Sequence, residues 1–383
     1  MFERRRERLC ERLQEKKVDV VLINDPSNLY YYTGFTGGDA FFMMSLPEKK
    51  GYIITDSRYY EQVEMECPDL ILVKWEKKGL TDVIKDVIQE VESVSRRTNR
   101  FSDDANASKE DVRPDVSKLQ IAIENRLNLE QYLKLCKQLE HCELRICSDT
   151  IDSGRMVKDE TELKKLQKAE TIGDEAFTHI LDVLKPGITE AEIALELEYY
   201  MKKQGASKLS FDSIIASGPN SSMPHAQVTD RKLRQGDFVT MDFGCIYQGY
   251  CSDMTRTVAI GEPSDEMRKV YQIVLDANQR AMEQIAEGKK CSDIDALARD
   301  YIREQGYGEY FGHGLGHGVG LDIHEEPRFS PKCDVITEEN MVITVEPGIY
   351  LPGRFGVRIE DLVVVKKNGY EKLSKSNKEL III

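Results

Sequence analysis

No apolar stretch in the 383-residue chain approaches the ~20 residues needed to cross a bilayer, which excludes a helical membrane protein. The basic N-terminal run Arg4-Arg5-Arg6 has no apolar segment behind it, so it reads as the exposed face of a first helix and not as a secretory signal. Net positive charge is also missing. At −14, the balance argues against nucleic acid and anionic membranes as partners. Nine cysteines show no Cys-x-x-Cys pair, so reduced, mostly buried thiols in a cytoplasmic protein are expected. The first half of the chain carries no dinucleotide or phosphate-loop fingerprint. What remains is a soluble globular composition, 40% hydrophobic and 31% charged, long enough for one large domain or two ordinary ones.

Residues 1–150 read as a separate α/β unit. Short apolar runs at 18–23, 51–55 and 70–75 alternate with helical patterns at 2–15, 57–66 and 79–94, which predicts a mixed or parallel sheet. The aromatic stretch Asn28–Phe35 reads as core packing, and residues 95–100 as a surface loop. A linker is expected near Ile151–Gly154, with a second domain over 151–383.

In that second part the same plan occurs twice. Asp159 with Glu162 and Thr189 with Glu192 open two helices, and Ser264 and then Ser292 with Asp295 open two more. Each helix pair leads to a hairpin. Asp159 precedes Asp242 by 83 residues and Ser264 precedes Glu346 by 82; the corresponding second helices precede the same acids by 53 and 54. The residues do not repeat, but the topology does, so two helix–helix–hairpin halves about a pseudo-two-fold axis are predicted.

Charges stand where these hairpins need apolar residues. Asp242 ends the run Phe238–Met241, and Asp253 lies beyond a turn at Tyr247–Gly249, so a simple hairpin brings the two carboxylates opposite each other. In the second half, Val342–Glu346 and Val357–Glu360 form the expected hairpin, with Glu346 and Glu360 as its acids. A pair of such charges can be ordinary solvated strand residues. Four on symmetric hairpins repel and are costly to bury unless a cation lies among them. Three of the six histidines, His313, His317 and His324, fall within twelve residues. Glycines at 314, 316, 318 and 320 argue against a zincin helix there and for an extended segment that approaches a small site closely. His141 and His179 lie on helical patterns and read as packing residues.

Asp242, Asp253, His317, Glu346 and Glu360, in this order and context, resemble the five metal ligands of the pita-bread metallopeptidases, the family of aminopeptidase P, prolidase, methionine aminopeptidase and the metal-free creatinases. Asn28–Phe35 and Ile54–Tyr59 resemble the creatinase-type N-terminal domain of the proline-specific members. The resemblance implies an α/β N-terminal domain followed by an α+β pita-bread catalytic domain. It also implies two divalent ions, Mn²⁺ first and Co²⁺, Fe²⁺ or Zn²⁺ as alternatives, since four carboxylates and one imidazole form a hard donor set. By the same resemblance Glu346 is also the base. His225 and His324 are substrate-side histidines, His313 a further histidine nearby, Arg358 the arginine that orients Asp242, and Tyr350 its hydrogen-bond partner. An ordinary cross-strand ion pair is the other reading of Arg358. The implied activity is release of an N-terminal residue that precedes proline, from small peptides, by a cytoplasmic homodimer. The alternative is a prolidase, restricted to Xaa-Pro dipeptides, which needs a cation for the proline carboxylate; Arg328 and Arg354 are the candidates. A non-catalytic binding protein, or a creatinase-like hydrolase, stands further off, because the ligand set is complete.

Overall fold

The structure, a computed structural model, describes residues 1–98 and 118–383 and divides into two compact units, Met1–Gly154 and Arg155–Ile383. Among the described residues no helix is long and apolar enough to cross a membrane.

The first unit is built on a six-stranded mixed sheet, in spatial order Ile71–Lys74, Lys50–Thr55, Ala40–Ser45, Val20–Ile23, Leu119–Ile123 and Cys142–Ile146. Val20–Ile23 is buried at every position and pairs antiparallel with Ala40–Ser45 and parallel with Leu119–Ile123, which is why it reads as a continuous apolar run. Ile84, Ile88 and Val91 of the helix Leu80–Thr98 pack on this sheet at helical spacing. That helix runs into the stretch expected as a loop at 95–100, whose last two residues lie outside the described ones.

The aromatic stretch forms the helix Pro26–Thr33. Asp25 caps it by accepting from the Ser27 and Asn28 amides, Pro26 opens it, and Gly34 ends it at φ 83°. Leu29, Tyr31 and Tyr32 of this helix are buried, and the Tyr32 hydroxyl donates to Ile151 O at 2.6 Å. Ile151–Gly154, expected as a linker, is helical: Ser148–Asp152 is followed by a 3₁₀ turn at Ser153–Arg155. His141 lies in a turn after the helix Leu129–Gln138, not on it.

The second unit contains two helix pairs, each with its own core. Glu160–Leu181 and Glu190–Lys203 both begin with a complete capping box, at Asp159/Glu162 and Thr189/Glu192. Their buried faces meet Val239, Met241 and Phe243 of the strand Asp237–Phe243. Asp265–Met282 and Cys291–Glu304 pack instead on Ile343 and Val345 of Val342–Val345. Each fully buried aliphatic chain contributes about 1.5–3 kcal/mol. Ser264 caps its helix as expected, but Cys291–Glu304 has no side-chain cap. Asp295 is held by the Arg299 guanidinium and accepts from the Leu315 amide at 3.0 Å, so it anchors the His313 segment and does not cap its helix.

Strand alternation decides where the acids point. In Asp237–Phe243, Val239, Met241 and Phe243 face the helices and Thr240 and Asp242 take the opposite face, where Thr240 Oγ1 meets Thr257 Oγ1 at 3.0 Å. In the other half Ile343 and Val345 enter the helix core and Thr344 and Glu346 take the opposite side.

Candidate metal centre

The two hairpins differ from the simple expectation in instructive ways. Gln248 and Gly249, both at positive φ (47° and 88°), form the two-residue turn. The register that follows places Asp242 opposite Thr255, so Asp253 stands diagonal to Asp242 and not directly across from it. The ladder breaks at Gly244, where a Cβ would come within 1.9 Å of Ser252 O, and the freed chain turns Asp253 inward. In the second half, Val342–Val345 pairs with Asp361–Lys366, and Gly348–Leu351 pairs with Phe355–Arg358. Val357–Glu360 is therefore not the partner of Val342–Glu346. Both ladders share one register across the gap, which puts Glu346 opposite Glu360.

His317 sits at the centre of the strand Gly316–Gly318, extended as its glycines require: a Cβ on Gly316 would lie 1.9 Å from Thr344 O. Its Nδ1 lies 3.1 Å from Gly318 O; an N–H there leaves the Nε2 lone pair free. Nε2 is 3.5 Å from Asp253 Oδ2 and 3.4 Å from Glu346 Oε1. Donor atoms of Asp253, His317 and Glu360 all lie within 4.8 Å of one another. The five candidate ligands thus converge, and Asp242 and Glu346 keep some exposure towards a cavity of about 900 Å³. His225, His313, His324, Arg328, Tyr350 and Arg358 line the same cavity. Arg354 does not: it is exposed and pairs with Glu266.

Electrostatics make this a cluster under tension. Burial, then Glu360, Asp242 and Glu346, push the Asp253 carboxyl well above the usual carboxylate range. Burial, then Glu346 and Asp242, do the same to Glu360, and burial first of all raises Glu346 to about 8. Burial and then the neighbouring His324 hold His317 down to about 3, so it is a neutral donor at ordinary pH. His313 is lowered to about 4 by burial and then by Arg358. Its Nε2 lies 3.0 Å from the Tyr350 hydroxyl. Arg358 is buried, 2.5 Å from Asp242 Oδ2, and donates to Tyr350 Oη at 2.9 Å, Thr255 Oγ1 at 3.1 Å and Pro224 O at 3.2 Å. The strands of Arg358 and Asp242 lie in different sheets, so this ion pair is not one between paired strands. His324 is exposed, its ring centroid 4.4 Å from that of His317.

Two hydroxyls and one acid in the site escape the sequence reading. Thr255 Oγ1 donates to Glu360 at 2.7 Å, and Thr344 Oγ1 donates to Glu346 at 3.2 Å. Each stands two residues from a candidate ligand, at the spacing that shares a face of an extended chain, which is the signal that could have found them. Glu170, fully buried on the helix Glu160–Leu181, accepts from the Asp253 amide at 3.3 Å. An acid on an otherwise apolar helix stripe was its trace.

Four carboxylates and one neutral imidazole around a cavity, on duplicated helix–helix–hairpin halves, define a metal-dependent hydrolase of the pita-bread type. The comparisons agree: the profile of metallopeptidase family M24 matches residues 164–367, and that of the creatinase/prolidase N-terminal domain matches residues 5–157. The chain belongs to metallopeptidase family M24. A Pyrococcus furiosus protein named Xaa-Pro dipeptidase is 35% identical over 378 residues, covering 98% of this chain and 99% of its own. The solved structure of an Xaa-Pro dipeptidase from Bacillus anthracis aligns with TM-score 0.89 at 38% identity, covering 100% of both chains. That of an X-Pro aminopeptidase from Thermotoga maritima aligns with TM-score 0.83 at 36% identity, covering 97% of this chain and 100% of its own.

Proposed function

We infer that this protein hydrolyses the peptide bond between an N-terminal residue and proline, with divalent metal held by Asp242, Asp253, His317, Glu346 and Glu360. The observation that carries the reading is the donor cluster itself. Asp242 Oδ1 is buried without a hydrogen-bond partner, beside carboxylates whose mutual repulsion a cation would relieve. The residues therefore fit the metal. Hard oxygen donors favour Mn²⁺, with Co²⁺, Fe²⁺ and Zn²⁺ as alternatives. When bound, two such ions supply Lewis acidity to the scissile carbonyl and activate water.

The chain's own groups do the rest. Glu346 takes a proton from the attacking water and passes it to the proline nitrogen, which cannot leave as an amide anion. His225 and His324 stand on the substrate side, where they stabilise charge developing on the carbonyl oxygen. Arg358 and Tyr350 fix Asp242, with His313 behind the tyrosine.

Arg328 decides how long the peptide is. It lines the cavity, and a dipeptide ends in the free carboxylate that this guanidinium would hold. This favours Xaa-Pro dipeptides. The aminopeptidase reading keeps one supporting observation, because Arg328 Nε lies 3.7 Å from Glu326, which shares its charge. Rates on Ala-Pro and Ala-Pro-Ala, alongside metal analysis, test both. Faster hydrolysis of the tripeptide overturns the dipeptide preference, and hydrolysis that survives complete chelation overturns the metal mechanism. Arg328→Met should lower kcat/KM on Ala-Pro about 10- to 100-fold and spare Ala-Pro-Ala.

We also assign the N-terminal domain to residues 1–150 and the catalytic domain to 151–383, supported by compact units that divide at Gly154 and Arg155. A homodimer in the cytoplasm completes the proposal, and nine unbridged cysteines suit a reducing compartment.

A further inference from the structure

The first turn of the helix Glu190–Lys203 holds two acids, and its cap uses one of them. Thr189 and Glu192 complete the capping box, which leaves Glu190 without a part in opening the helix. Glu190 is nevertheless fully buried. A buried carboxylate needs donors to meet its charge, and this one has five. Its Oε1 accepts from the Ser217 amide at 2.7 Å and the Ser217 hydroxyl at 2.6 Å. Its Oε2 accepts from Asn220 Nδ2 at 2.9 Å, the Thr229 amide at 3.1 Å and the Thr229 hydroxyl at 2.6 Å. The Arg231 guanidinium, paired with Asp237, completes the arrangement by donating to Ser217 Oγ at 2.6 Å.

These donors lie at both ends of one segment. Asn220 and Thr229 meet at the same carboxylate oxygen, and between them runs the stretch of cavity wall that carries His225. Asn220 Nδ2 also donates to Gln227 O at 3.3 Å, which draws the two arms together. Nearer the histidine, Arg358 Nη1 donates to Pro224 O at 3.2 Å, so the residue before His225 is tied to the guanidinium that pairs with Asp242. Among the described residues no hydrogen bond holds the His225 ring itself. Its place is therefore that of its backbone, and the two ends of the segment set the backbone.

We propose that Glu190 is a positioning residue for His225: it closes the base of the segment 217–229 and so holds the imidazole against the scissile carbonyl. The inference rests on the Xaa-Pro reading, in which His225 stabilises charge on the carbonyl oxygen, and adds to it the group that keeps this histidine in place. A carboxylate suits the position because it offers lone pairs on both oxygens. An amide turned either way presents N–H groups to one set of donors and leaves Ser217, or Asn220 and Thr229, unmatched. Backbone bonds survive such a change, from the Glu190 amide to Arg231 O at 3.1 Å and from the Ala191 amide to Thr229 O at 3.2 Å. The return arm thus stays docked on the helix while the base slackens. A shift of about 1 Å in a group that acts on the transition state can cost up to about a hundredfold in rate.

The experiment measures kcat, KM and bound metal on Ala-Pro for metal-loaded wild type, Glu190→Gln, His225→Ala and the double variant. Expected for Glu190→Gln is a fall in kcat of about 10-fold, with KM and bound metal within about twofold of wild type. In the His225→Ala background the same substitution should cost less than about twofold, because the histidine through which it acts is gone. Thr229→Val removes one donor at an exposed position and leaves Glu190 in place; a loss in kcat of about threefold is expected, again absent without His225. Should Glu190→Gln fail to fold, this second variant carries the test on the same criteria. An equal loss in both backgrounds overturns the proposal, since a merely structural role would give it, and so does a loss that follows bound metal or falls on KM alone. Unchanged kcat in His225→Ala overturns the inference and leaves the Xaa-Pro reading standing. Failure of the wild type to hydrolyse Ala-Pro and Ala-Pro-Ala overturns both.

Discussion

Arg358→Met should destabilise the metal-free protein far more than the metal-loaded one. The side chain is buried, and its loss removes the ion pair to Asp242 together with hydrogen bonds to Tyr350, Thr255 and Pro224. Asp242 Oδ1 has no partner already, so without Arg358 both oxygens face three further carboxylates uncompensated. Breaking a buried pair in this way costs about 3–5 kcal/mol. For a unit of this size each kcal/mol moves Tm by about 2–4 °C, so the fall is of order 6–20 °C in chelator. With metal bound, the cations compensate Asp242, and the remaining loss is that of the guanidinium's hydrogen bonds to neutral acceptors, about 1–3 kcal/mol. The separation between metal-free and metal-saturated melting curves should therefore widen relative to wild type. Calorimetry of both proteins with chelator and with Mn²⁺ measures it. An equal drop in the two conditions would refute the reasoning, since it would mean that Arg358 only packs.

Two other outcomes follow from the same repulsion. Asp253→Asn removes a charge from the cluster, so it should raise the Tm of the metal-free protein while lowering bound metal and hydrolysis by at least about a hundredfold; metal analysis and melting curves on one preparation decide it. In chelator, stability should fall as pH rises: Glu346 and the buried Glu170 both have folded values of about 8 against an ordinary 4.5, so the fold prefers their protonated forms. That contribution is whole below about pH 4.5 and is lost on the way to pH 8; urea midpoints at pH 5, 7 and 9 that rise with pH would contradict it.

Local chemistry was legible, and long-range pairing was not. The capping boxes at Asp159 and Thr189 are readable because both partners sit three residues apart. Ser292 and Asp295 carry a comparable signal, yet Arg299 and the Leu315 amide claim the aspartate, and only the fold brings Leu315 there. The four candidate carboxylates could be picked out because a charge ending an apolar strand is costly and so informative, and His317 because glycines flank it. Their pairing could not, since register depends on partners far along the chain: Val345 pairs with Asp361, not with the nearer Val357–Glu360. The strands Ala40–Ser45, Leu119–Ile123 and Cys142–Ile146 went unread, the last ending in exposed Ile146 and holding Arg145 and Glu143. Glu170 is marked only by its place on the buried stripe of its helix, since acids also occur on the other faces.

The ladder breaks carry a further consequence. In one half the acids are long and stand in register, Glu346 across from Glu360; in the other they are short and stand two residues out of register, at Asp242 and Asp253. Duplication of the scaffold has therefore not duplicated the pocket. A twofold repeat with unequal side chains at its axis has unlike surroundings on its two sides, and His317 is the one imidazole in the candidate ligand set. Removing a carboxylate from one half is therefore not equivalent to removing its counterpart from the other.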